Sequence, residues 1–330
     1  MSKNILVTGG AGYIGSHTVK KLLDDGFNVI VADNLSTGNI SSVDKRAKFY
    51  KVDVTCEEEF SKVLDKEKID AALLCAGEII VSESIENPYK YYKANVGGLN
   101  ATLEVLGKYK VDKIMFSSTA SVYGNNCYDK PATEETLPDP INPYAETKLA
   151  GEKLIKWVAN KYNMDYVIFR YFNVAGAEPD NSNGLRVKNP THIIPNANKT
   201  ALGQNNILYI FGNDYDTKDG TCIRDYIHVL DLANAHSLGM KYMFENNKSN
   251  IFNLGSGQGF SVKDIVDEVE KITNKSLNYK FVERRKGDPA SVLANCDKVF
   301  SILGWEPKYS LKDIILSDYN WRKSNNEYNG

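Results

Sequence analysis

An α/β fold built on a doubly wound parallel sheet is predicted by three features of the first half of the chain. Short apolar runs alternate with helical segments, a glycine-rich turn joins the first run to the first helix, and an acidic residue closes the second run. Strands are expected at Asn4–Thr8, Asn28–Asp33, Phe49–Asp53, Asp70–Ala76, Lys113–Ser118 and Tyr166–Tyr171. Between the first two, His17–Asp25 carries Val19, Leu22 and Leu23 at helical spacing, and Gly26 stops the helix. Tyr91–Lys110 reads as a second helix, with Leu99, Leu103 and Leu106 on one stripe, and Tyr144–Tyr162 as a third. After Asn173 the texture changes, with Pro, Asn and Gly frequent through "NVAGAEPDNSNG". A second, smaller α/β domain is expected over 174–330, with helices near Val229–Phe244 and Val262–Thr273 that can pack on either lobe.

Composition narrows the partners. Forty basic residues face forty-two acidic ones, and the densest basic cluster is the short Arg284, Arg285, Lys286, so no nucleic-acid footprint is expected. No apolar run approaches the roughly 18 residues that cross a bilayer, so no membrane partner is expected either. The five cysteines are scattered without a C-x-x-C pair, which suggests neither a metal site nor a disulfide framework. A first strand that begins at Asn4 leaves no room for a signal peptide, and a cytoplasmic location is expected.

The glycine turn is "TGGAGYIGSH", with four glycines in the seven positions from Gly9 to Gly15. A plain glycine bend is the competing reading of such a turn. Here it follows a strand, opens a helix and is followed by Asp33 at the end of the next strand. That context is the Rossmann-type dinucleotide site, in which helix N–H groups meet a pyrophosphate and the carboxylate meets the adenosine ribose. Asp33 would repel a 2′-phosphate, which selects NAD over NADP.

"PYAETK" places Tyr144 and Lys148 four residues apart, on one face of a helix. Such pairs also arise by chance. A tyrosine near pKa 10 becomes a useful base when positive charge favours its phenolate. Upstream, "MFSSTASVYG" ends a strand in the hydroxyls of Ser117, Ser118 and Thr119, which a polar strand end alone would also explain.

With these motifs in place, the chain resembles the extended short-chain dehydrogenase/reductase family, and within it the nucleotide-sugar 4-epimerases. The likeness is carried by "VTGGAGYIGSH", "ADNLSTGN", "SSTASVYG", "NPYAETK", "FRYFNVAGA", "FGNDYDTKDGTCIRDYIHVLDLA" and "RRKGDPA" and runs over nearly the full length. It implies an NAD-binding domain over 1–173, a UDP-sugar-binding domain over 174–330 and a homodimer. It also implies interconversion of UDP-glucose and UDP-galactose by oxidation and re-reduction at C4. Tyr144, Lys148 and Thr119 would be catalytic. Gly9, Gly12, Tyr13, Ile14 and Gly15 would lie along the pyrophosphate, Asp33 and Asn34 at the ribose, and Asp53 and Val54 near adenine. Ala76, Gly77, Asn95 and Phe172 would line the cofactor channel with Tyr144 and Lys148. Thr119, Tyr144, Asn173, His192 and Ile193, Tyr209 and Phe211, Arg224 and Arg285, and Asp288 would contact the UDP-hexose.

Several positions depart from the family pattern. Leu74 and Cys75 stand for a common His–Phe pair, Ile79 for a frequent cofactor-contacting lysine, Thr119 for a serine and His192 for an asparagine. Ala120 and Ser121 follow Thr119 where the 4,6-dehydratases of the same fold carry Asp–Glu, which argues against water elimination. A non-catalytic NAD sensor, the reading of another class, could dispense with Tyr144 and Lys148. Val292 occupies a position that the family uses to set the room around C2 of the sugar, and a small residue there admits N-acetylated hexoses.

Overall fold

The computed structural model describes residues 2–127, 130–285 and 288–325. Its strands are β1 (Asn4–Thr8), β2 (Asn28–Asp33), β3 (Lys48–Lys51), β4 (Ala71–Leu74), β5 (Lys113–Ser117), β6 (Asp165–Tyr171) and β7 (Asn173–Ala175). They continue with β8 (Leu208–Phe211), β9 (Ile223–His228), β10 (Asn250–Leu254), β11 (Gly259–Ser261), β12 (Tyr279–Val282) and β13 (Ser291–Val292).

The main sheet is parallel throughout, in the order β10–β6–β5–β4–β1–β2–β3. Its strands are apolar on both faces because helices cover both. In β1, Ile5 and Val7 point into a core with Val19, Leu22, Leu232 and Met240, while Leu6 points into the opposite core with Phe60, Leu103 and Ile155. The strand order reverses between β1 and β4, so the loops leaving those two strands open a crevice at their carboxyl ends.

A smaller lobe stands over that crevice. There β9 pairs with β7, β11 and β13, β8 pairs with β12, and a third core gathers Ile194, Ile210, Ile265 and Ile315. The chain between the lobes crosses more than once. β10, from the C-terminal half, pairs with β6 in the main sheet, with Phe252 opposite Phe169. The helix Val229–Asn246 likewise contributes Leu232, Ala235, Met240 and Met243 to the core beside β1.

Most predicted elements differ from the observed ones only at their ends. The first helix starts at Tyr13 rather than His17, because Gly12 takes the extended N-cap conformation directly after the turn. β3 stops at Lys51, since Asp53 begins a turn closed by the Cys56 N–H to Asp53 carbonyl bond. The expected helix Tyr91–Lys110 is instead three pieces: Pro88–Tyr91, a π-helical stretch Tyr92–Gly98 and Leu99–Lys108. Such widened turns recur at functional sites, and this one holds Asn95.

Candidate active site

The glycine turn packs the carboxyl ends of β1 and β4 against each other. Gly9 has φ of 70°, and a Cβ there would lie 2.7 Å from the Ala76 backbone nitrogen. A Cβ on Gly15 would lie 2.3 Å from the Gly9 carbonyl oxygen. Glycine is required at both places by backbone, which cannot step aside. The helix that follows has no side-chain cap at Gly12 and no acidic residue in its first turn. Its first N–H groups and dipole are therefore open to an anion. These residues form a cradle suited to the diphosphate of a dinucleotide.

Asp33 is buried, and its carboxylate accepts the Ala11 N–H at 2.9 Å and the Leu35 N–H at 2.8 Å. It shapes the glycine turn as well as facing the crevice. Asn34 Oδ1 accepts the Ser36 N–H, and Asp53 Oδ1 caps Thr55, so both mark loop ends at the edge of the crevice. The Val54 carbonyl accepts the Thr102 hydroxyl. The Tyr13 hydroxyl donates to the Gly176 carbonyl at 2.6 Å, which leaves only its backbone N–H for a ligand in the turn. Asn95 accepts the Glu78 N–H at 2.8 Å and donates to the Glu78 carbonyl and to the Thr147 hydroxyl. Gly77 lies against it, since a Cβ there would sit 2.8 Å from Asn95 Oδ1. Phe172 is buried, its N–H bonded to the Leu254 carbonyl.

Tyr144, Lys148 and Thr119 come together at the floor of the crevice, all buried. The helix Pro143–Tyr162 starts where it does because the Asn142 side chain accepts the Ala145 N–H and Pro143 fills the first position. Burial pushes the Tyr144 phenol up to about 12, and a hydrogen bond with Thr119 pulls it back. Burial pulls Lys148 down to about 8, opposed by the neighbouring Cys75 and Glu152. Lys148 Nζ donates to the Ser117 carbonyl at 2.9 Å. The groups that favour the Lys148 ammonium are thus Cys75 first and Glu152 second.

The candidate substrate residues line the smaller lobe. Asn173 donates to the Asp225 carbonyl, and His192 stands at the N-cap position of the helix Ile193–Ala201 without a side-chain cap bond. Tyr209 and Phe211 face outward on β8, with Arg285 stacked over the Phe211 ring at 4.1 Å. Arg224 and Asp288 are brought together as an ion pair, so they meet each other before they meet any ligand. Val292 stands opposite Arg224 and packs against the core cluster that includes Ala120, Leu149 and Phe172. Lys286 and Gly287 lie outside the described residues. Ile79 is 61% exposed, beyond Gly77 at the rim. Among the described residues no group of acidic, histidine and cysteine side chains is placed to hold a metal.

Sequence reasoning missed the buried Glu152–Arg170 pair behind the site. The available signal was a glutamate two turns after Tyr144 on the helix face that carries Lys148.

Known proteins share this fold and much of this sequence. The family model described as "NAD dependent epimerase/dehydratase family" matches residues 5–255. The chain is 45% identical over 325 residues to a UDP-glucose 4-epimerase of Lacticaseibacillus casei, covering 98% of each. Among solved structures, it is similar to a UDP-glucose 4-epimerase at TM-score 0.95 and 47% identity, covering 98% of both chains. A Bifidobacterium longum UDP-glucose 4-epimerase in complex with NAD+ and UDP is similar at TM-score 0.93 and 35% identity, covering 99% of this chain and 100% of that one. A UDP-Glc/GlcNAc 4-epimerase of Campylobacter jejuni follows at TM-score 0.85 and 38% identity, covering 98% and 100%. A matched family model over most of the length, on a crevice floored by a buried tyrosine, lysine and threonine, establishes that this chain belongs to the NAD-dependent epimerase/dehydratase family.

Proposed function

We infer that the chain interconverts UDP-glucose and UDP-galactose through NAD-dependent oxidation and re-reduction at C4. The observation that carries this is the buried Tyr144–Thr119–Lys148 cluster beside a glycine cradle at the switch point of the sheet. The relatives named above are UDP-glucose 4-epimerases over almost their whole length. Gly9, Gly12 and Gly15, with the backbone of Tyr13 and Ile14, hold the cofactor diphosphate, and Asp33 and Asn34 hold the adenosine ribose. Asp53 and Val54 border adenine; Ala76, Gly77, Asn95 and Phe172 border the rest of the channel. The chemistry that NAD supplies when bound is hydride acceptance from C4, hydride return to the opposite face, and positive charge beside the phenol.

Tyr144 takes the O4 proton and gives it back. Its phenol, held high by burial, needs positive charge to work near neutral pH, and Lys148 contributes an ammonium on the same helix face. Thr119 bridges the sugar oxygen and the phenol. Arg224 and Arg285 hold the UDP diphosphate with Asn173, His192 and Ile193. Tyr209 and Phe211 lie along uracil, and Asp288 exchanges Arg224 for the uridine ribose. Anchoring UDP alone leaves the hexose free to turn over between the two hydride transfers.

Activity on the N-acetylated pair is a second reading. It is supported by Val292, which is smaller than a tyrosine and packs against the cluster that includes Ala120 and Phe172, and by the similarity to the Campylobacter jejuni enzyme. We also propose a homodimer through the helices flanking the sheet, where Trp157 is 74% exposed and Tyr89 and Tyr92 stand in the open. Sedimentation at micromolar concentration should give twice the chain mass. Cytoplasmic residence is supported by five free cysteines.

The deciding experiment incubates purified protein and NAD+ with UDP-galactose and measures UDP-glucose. Conversion toward the equilibrium mixture is expected. No conversion, or equal conversion by Tyr144→Phe, overturns the reading.

A further inference from the structure

Behind the Tyr144–Thr119 pair lies a buried ion pair to which the reaction above gives no part. Glu152 Oε2 accepts Arg170 Nη2 at 2.6 Å, and Oε1 accepts both Arg170 Nε at 2.9 Å and the Ser118 hydroxyl at 2.6 Å. Arg170 Nη1 donates to the Tyr123 hydroxyl, which in turn donates to Asn253 Oδ1 on β10. Glu152, Arg170 and Ser118 are each at most 3% exposed, so water does not compete for these bonds. One carboxylate therefore ties three elements: the helix bearing Tyr144 and Lys148, the end of β5 just before Thr119, and β6.

A buried ion pair is a poor device for stability alone. Desolvating two ions offsets most of their attraction, and apolar side chains of similar volume often serve as well or better. What the pair provides is registry. Ser118 adjoins Thr119 in the chain, and Glu152 lies one turn beyond Lys148 and two beyond Tyr144.

We propose that Glu152, with Arg170 and Ser118, is a positioning group that sets the Tyr144 phenol against the Thr119 hydroxyl. The inference rests on the epimerase reading of the site. A catalytic hydroxyl displaced by roughly 1 Å costs on the order of a hundredfold in rate, while the anchoring of UDP, far away on the smaller lobe, is untouched. Glu152 also acts on Lys148. The groups facing that ammonium are the Ser117 carbonyl, the Phe116 ring, Cys75 from the end of β4, and Glu152. Burial lifts the Cys75 thiol to about 11, and Cys75 and then Glu152 favour the charged form of Lys148 against its burial.

The test uses NAD-loaded full-length protein, Ser118→Ala, and a double variant, Glu152→Met with Arg170→Met, which removes both charges together. For Ser118→Ala, kcat on UDP-galactose should fall about tenfold with KM nearly unchanged. For the double variant, kcat should fall about a hundredfold with KM again nearly unchanged. A merely structural role would lower the melting temperature and leave the kcat of the surviving folded enzyme in place. If wild type itself does not turn over UDP-galactose, the epimerase reading fails and this inference with it. If wild type is active and the folded double variant keeps its kcat, the positioning role is overturned. Should the double variant not fold, unchanged kcat in Ser118→Ala overturns it alone.

Discussion

Replacing His236 by phenylalanine should make the protein less sensitive to acid. His236 is fully buried, with Nδ1 on the Leu232 carbonyl at 2.8 Å and its ring edge-on to Phe169. Burial lowers its pKa to about 4. An unfolded histidine titrates near 6.5, so the folded value is depressed. The stability it contributes is present above about pH 6.5 and is lost as pH falls through the folded value. Between these limits the unfolded chain binds a proton that the native one refuses, at about 1.4 kcal/mol per pH unit. From about pH 7.5 to about pH 5 the loss amounts to about 2 kcal/mol for this one residue. His17, lowered to about 4, and His228, lowered to about 3, act in the same direction but cancel between wild type and variant. Urea denaturation of cofactor-free protein at the two pH values gives both slopes. Overpacking by the larger ring shifts the variant by a similar amount at every pH, so the comparison is of pH dependence alone. A stability loss in His236→Phe as large as in wild type would refute the reasoning.

Three other outcomes are expected. Tyr144→Phe should keep its fold and NAD content while kcat falls at least about 100-fold, and Thr119→Ala should lose more rate than Thr119→Ser; steady-state kinetics with bound-nucleotide analysis checks both. Wild type should convert UDP-N-acetylglucosamine, and Val292→Tyr should suppress that activity while sparing UDP-glucose; a wild type inert toward the acetylated sugar ends the pocket argument. Ile79, exposed at the rim, lacks an ammonium whose charged hydrogen bond would be worth roughly 1.5–3 kcal/mol, so purified protein should carry less than one NAD per chain and gain activity when NAD+ is added. Full occupancy with no response to NAD+ contradicts this.

What the sequence disclosed was mostly local. The turn from Thr8 to His17 and Asp33 lie within one strand–turn–helix–strand unit, and Tyr144 and Lys148 are one helical turn apart, so spacing alone exposes them. The bonds of Asp33 to the Ala11 and Leu35 N–H groups were not legible, because they depend on the folded path of the turn. Nor was the π-helical stretch, whose Asn95 is bonded to the Glu78 backbone across a loop. The Arg224–Asp288 pair joins residues far apart in the chain, with no periodicity to announce it. "NIFNL" at β10 is a short run like many others, and only its pairing with β6 makes it part of the main sheet. Which way Ile79 faces is likewise not written in the sequence; the fold places it at the surface.

The seating of β10 beside β6 has a consequence for biosynthesis. A nascent chain that has emerged as far as Tyr171 possesses six of the seven sheet strands, yet β6 still presents a row of unpaired backbone groups. Its partner arrives only when Leu254 has left the ribosome, on the order of ten seconds later at roughly 5–20 residues per second. During that interval the amino-terminal half is a template for foreign strands, and a fragment truncated after Tyr171 would keep that edge permanently. The amino-terminal half therefore completes its sheet only with a strand supplied by the carboxy-terminal half.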